Sequence, residues 1–112
     1  MDRTPAHLAD MLQFVQEALA LGSGLQMQQF TANRVLCLAV EKLFINIGEA
    51  ARRVAPQVQA AHPAIPWSRV IGLRNILAHG YEQVEHEVLY KSIRDDLPAL
   101  EQSLRKALEA LG

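Results

Sequence analysis

Apolar residues recur along this chain at helical spacing. Thr4-Pro5 pairs a capping residue with a proline suited to the first helical position, and Leu8, Met11, Leu12, Val15 and Leu19 follow at helical intervals. Gly22-Ser23-Gly24 closes this first helix. A second, longer helix is predicted from about Met27 to Val54. Leu36, Val40, Leu43, Ile47, Ala50 and Val54 form its apolar stripe, widened by Phe44 and Ala51. The opposite side is mixed: Lys42, Asn46, Glu49 and Arg53 make a polar column with Leu38 and Ile45 beside it. A helix with one apolar and one half-apolar side predicts two packing partners, the second being a subunit or a ligand cleft.

Pro56 stops that helix and starts a short one through Ala61. Pro63-Ala64-Ile65-Pro66-Trp67 reads as a stiff connector, because each proline fixes its own φ and biases the residue before it towards extended geometry. A helix from about Pro66 to Ala78 ends near Gly80. The stretch Glu85 to Leu111 is helical with a break at Asp95-Asp96-Leu97-Pro98, where an aspartate cap restarts the helix. Nothing reads as a strand or a repeat. The expected architecture is all-α, an antiparallel up-down bundle of four main helices plus short helices, in one domain over residues 1–112.

One helix breaks its own pattern. At about 100° per residue, Trp67, Val70, Ile71, Leu73, Leu77 and Ala78 fill one broad arc, and Arg74 falls inside it. Ser68, Gly72, Asn75 and His79 form a separate polar strip. A guanidinium on an apolar face is costly unless it is paired or reaches water. Arg74 therefore either snorkels or pairs with a carboxylate such as Glu49, or it projects into a cleft and meets an anion. His79 lies one turn after Asn75, within reach of an orienting amide.

Composition narrows the class. With 50% apolar and 21% charged residues the chain has the balance of a globular domain, and no apolar run approaches the ~18 residues of a membrane span. The first residues carry no basic-then-apolar leader, so a cytoplasmic location is expected. A net charge of −1 supplies no global field for nucleic acid, so any RNA contact must come from a local cluster. The single cysteine, Cys37, sits in an apolar run and reads as a buried structural thiol. His7, His62 and His86 share no ligand spacing with one another or with His79, so neither a metal nor a cofactor is expected. No phosphate-binding or nucleophile-elbow motif occurs.

Arg74 to Tyr81 reads R-N-x-x-x-H-x-Y. That pattern resembles the R-x4-H-x-Y motif of HepT-like proteins in the HEPN superfamily. Ile47-Gly48-Glu49-Ala50-Ala51, His62-Pro63-Ala64-Ile65-Pro66-Trp67 and Asp95-Asp96-Leu97-Pro98 resemble three further family segments, in the family's order. The departures are Glu82, where an aromatic residue is frequent, and Leu89-Tyr90 in place of Val-Trp.

The resemblance implies a HEPN-like fold and a homodimer with its active cleft at the interface. It also implies metal-independent cleavage of RNA, not DNA, by the toxin of a toxin–antitoxin pair. Arg74 would bind phosphate and the transition state, His79 would transfer protons, and Asn75 and Glu49 would support the site. Tyr81 would be AMPylated by a minimal nucleotidyltransferase antitoxin. The competing reading is a non-catalytic helical partner of such a nucleotidyltransferase, which would not require Arg74 and His79 together.

Overall fold

The computed structural model describes residues 2–79 and 85–111, and within them the chain forms seven helices and no strand. Helix α1 (Thr4–Gly22) begins where Asp2 Oδ1 accepts the Thr4 N–H at 2.9 Å. It buries Leu8, Met11, Val15 and Ala18 at three- and four-residue spacing. That face packs on α3 (Arg34–Arg52) and α7 (Leu97–Leu111).

The long helix expected from Met27 to Val54 is two helices. Helix α2 (Met27–Thr31) is a single short piece whose capping box pairs Gln26 with Gln29. Asn33 then interrupts the run, accepting the Leu36 N–H on its side-chain oxygen at 3.0 Å and restarting the backbone as the N-cap of α3. An asparagine that offers the backbone a local acceptor favours a cap over a helix interior, which periodicity alone does not register. The break turns Phe30 fully into the core. There it meets Tyr90, with ring centroids 5.7 Å apart, and its carbonyl accepts from the buried Cys37 thiol at 3.2 Å.

Helix α4 (Pro56–Ala61) follows as expected, and Gln59 Nε2 donates to the Ala51 and Val54 carbonyls at 3.3 and 3.1 Å, satisfying acceptors left at the end of α3. The proline-rich connector is anchored by Trp67, whose indole N–H donates to the His62 carbonyl at 3.1 Å. Helix α5 (Trp67–His79) packs extensively against α3.

Helices α6 (His86–Asp95) and α7 meet at Asp96. The expected side-chain cap is not what restarts α7. Asp96 Oδ2 accepts from Arg69 Nη2 at 3.0 Å, the Asp96 backbone carbonyl accepts from Leu100 N at 3.1 Å, and Asp95 is held by Arg94. The guanidiniums compete for both carboxylates and leave the turn to the backbone and Pro98. The large helices α1, α3, α5 and α7 enclose one apolar core to which α2 and α6 contribute. No helix among the described residues is long and apolar enough to cross a membrane.

Candidate functional site

The site begins with a glycine. A Cβ built on Gly48 of α3 would lie 2.2 Å from Arg74 Cβ and 2.9 Å from the Val70 carbonyl of α5. Any larger residue would hold the two helices apart, so Gly48 lets α5 lie directly on α3. This contact brings Arg74 beside the next residue, Glu49, with Nη2 2.9 Å from Oε2. The Arg74 side chain is 19% exposed and that of Glu49 27%, so the pair is only partly open to water.

Glu49 also holds two cations of its own helix. Arg52 Nε and Arg53 Nη2 approach Oε1 at 3.4 and 3.3 Å. Three guanidiniums on one carboxylate leave a local charge of about +2, in a chain whose net charge is −1. The sequence required such a local cluster for any RNA contact. Arg74 and Glu49 emerge from the sequence alone, whereas the part played by Arg52 had only a weak signal, its position three residues after Glu49.

The Arg74–Glu49 contact is an ion pair and not a directed hydrogen bond. Glu49 Oε2 and Arg74 Nε are both buried without a hydrogen-bond partner. A buried donor left unmade costs about 1–3 kcal/mol, so the packing of α5 on α3 and the ion pair together hold the guanidinium there against that cost. Its Nη1 donates to Asn75 Oδ1 at 2.9 Å. The carbonyl end of the Asn75 amide is therefore turned to Arg74. His79 is the last residue of α5 and is exposed, one turn beyond the exposed Asn75. Tyr81, together with Gly80 and Glu82, lies outside the described residues.

The other histidines separate from this site or border it. His86 Nε2 sits 3.0 Å from Glu41 Oε1, joining the start of α6 to α3, a pairing across 45 positions that spacing did not reveal. His7 of α1 lines a polar groove with Asn46, Glu49 and Arg53. Among the described residues no group of three or more His, Cys, Asp or Glu side chains is placed to hold a metal.

Arg74 and its carboxylate anchor thus lie in the α3–α5 contact, and the exposed His79 ends α5 five residues further on. Residues 8–107 match the family model described as Ribonuclease HepT-like, and the match spans nearly the whole bundle. The chain belongs to the HepT-like ribonuclease family. Among HepT-like relatives, one of 28% identity over 99 residues is named "Putative RNase MJ1380", from Methanocaldococcus jannaschii; the alignment covers 88% of this chain and 91% of that protein. A second, "Probable ribonuclease HepT" of Thermococcus cleftensis, is 30% identical over 79 residues, covering 70% and 72%. A third, "Putative RNase TTE0752" of Caldanaerobacter subterraneus, is 26% identical over 108 residues, covering 96% of each. No solved structure matches the chain at a significant level. As a member of this family the chain is a ribonuclease with an all-α fold.

Proposed function

We propose that this ribonuclease is a metal-independent endonuclease, the toxin of a toxin–antitoxin pair. It acts in the cytoplasm as a homodimer whose active cleft lies at the two-fold interface. The observation that carries the reading is Arg74, held by Glu49 inside a cluster of excess positive charge and still partly open to water. A planar, permanently charged guanidinium suits a phosphate that gains charge in the transition state.

The ribose 2′-hydroxyl oxygen attacks phosphorus and the bond to the 5′-oxygen breaks, giving a 2′,3′-cyclic phosphate and a 5′-hydroxyl. One neutral His79 takes the 2′ proton. The 5′-oxygen receives its proton from the imidazolium of a second copy's His79. Because the nucleophile is the 2′-hydroxyl, the substrate is RNA and not DNA.

The open face of α5 supports a dimer. Among the described residues α5 packs extensively only against α3, and Ser68, Gly72, Asn75 and His79 lie on its more open side. A Cβ on Gly72 would meet nothing within 4 Å, so no packing among the described residues explains a glycine that costs a helix interior about 1 kcal/mol. Close approach of a second copy would explain it.

Cleavage of single-stranded RNA should fall at least about 100-fold in both Arg74→Ala and His79→Ala, and should persist in EDTA. Equal rates in wild type and both variants would remove the nuclease assignment. In hybrid dimers carrying one His79→Ala chain, full activity would sink the two-histidine mechanism. Tyr81 is the proposed point of control: a minimal nucleotidyltransferase antitoxin attaches AMP there, and its phosphate competes for Arg74. Mass spectrometry of the neutralised complex should find the adduct on Tyr81, and an unmodified tyrosine would replace this account with occlusion.

A further inference from the structure

A polar groove of about 240 Å³ opens between α1 and α3 beside the Arg74–Glu49 pair. Its floor and walls include His7, Asp10, Phe14, Asn46, Glu49 and Arg53. Glu49 and Arg53 belong to the cationic cluster, so the groove is continuous with the proposed phosphate site. Of the remaining polar groups, His7 interacts electrostatically with the Asp2 carboxylate. Among the described residues no hydrogen bond or ion pair engages the Asp10 carboxylate, the Asn46 amide or the His7 imidazole. Phe14 is half-buried and lines the same space.

An aromatic ring beside an amide and a carboxylate, at the edge of a phosphate track, is a combination suited to a nucleobase. The ring supplies a stacking surface, and the polar groups can read the base edge. Asp10 decides which edge. An ionised carboxylate only accepts hydrogen bonds, and it repels phosphate, so it is tolerable in an RNA groove where it meets a base presenting donors. Guanine offers two adjacent donors, N1–H and the exocyclic amine. Uracil offers one N–H flanked by two carbonyl oxygens and is the poorest match.

We infer that the α1–α3 groove is a base-recognition subsite of this ribonuclease, selecting a guanine adjacent to the bond that is cut. Phe14 stacks on the base, Asp10 accepts from its donor edge, Asn46 bonds a remaining polar atom, and Arg53 meets the backbone. The inference rests on the RNA-cleaving reading for its biological sense, but binding tests it independently of cleavage.

The probes are guanosine 3′-monophosphate, uridine 3′-monophosphate and inorganic phosphate, each titrated into the full chain while backbone amides are followed by NMR. The guanosine nucleotide should shift the amides of His7, Asp10, Phe14 and Asn46 and bind about tenfold tighter than the uridine nucleotide. Inorganic phosphate should leave the α1 amides unmoved. Asp10→Asn, an exposed change that leaves the core untouched, should abolish most of the base preference. Phe14→Ala should weaken both nucleotides about tenfold.

Equal affinity for the two nucleotides, or shifts that avoid α1, would overturn the subsite even if RNA is cleaved. Guanosine-selective shifts at α1, with Arg74→Ala and His79→Ala cleaving RNA as wild type does, would uphold the subsite and remove the nuclease mechanism.

Discussion

Glu49 accepts charge from Arg52, Arg53 and Arg74, so its removal acts on all three at once. Glu49→Gln should release Arg74 and leave three like charges with no counter-ion. Stability should fall by about 1–2 kcal/mol, less than for a fully buried pair because the groups are partly solvated. RNA cleavage should fall about tenfold or more as the guanidinium loses its fixed position. Urea unfolding and rate measurements on the same preparation separate the two effects, and an unaltered rate with reduced stability would make Glu49 purely structural.

Cys37 shows the opposite behaviour. Burial pushes its thiol pKa up and the Glu41 carboxylate adds to the shift, so the thiol stays neutral and inert. Because the folded form holds this proton more tightly than the unfolded chain, the associated stability is complete at neutral pH. It is lost as pH rises through the thiol range. A thiol reagent should label Cys37 only on unfolding, and rapid labelling of the native protein would contradict its burial.

At the scale of elements, the α3–α5 contact is the one that makes a site. Gly48→Ala places a methyl carbon where Arg74 Cβ and the Val70 carbonyl already stand, and should cost about 3 kcal/mol while displacing Arg74. Denaturant unfolding checks the stability, and a loss of cleavage larger than the unfolded fraction explains would locate the damage in the site.

Helix boundaries were legible where proline or glycine marked them, as at Pro5, Pro56 and the Pro63–Pro66 connector. The boundary at Asn33 was not, because the apolar period runs on through a residue whose side chain caps the next helix. Asn33→Ala should cost about 1 kcal/mol in thermal or urea unfolding. An unchanged stability would mean that the break is imposed by the packing of Phe30.

At the scale of the molecule, the open face of α5 is where a second copy would complete the proposed cleft. The Cβ of Gly72→Leu would start in space that is open among the described residues, and leucine is the better helix former, so the monomer should melt at the same temperature or higher. Dimerisation and cleavage should both weaken, as sedimentation and rate measurements would show; a variant that dimerises and cleaves normally would place the interface elsewhere.

The sequence by itself determined the all-α class, most helices and the anomaly of Arg74, because hydrophobic period, proline and glycine act over a few residues. It also singled out Glu49 as a possible anchor. Only the tertiary structure decided that Gly48 seats α5 on α3, that Glu49 gathers three guanidiniums, and that Asn75 turns its carbonyl to Arg74. The His86–Glu41 pair and the groove joining His7, Asp10 and Phe14 to Asn46 belong to the same group. The contacts between helices depend on how helix faces rotate against one another, and side chains that meet across a helix pair leave no spacing in the sequence to announce it.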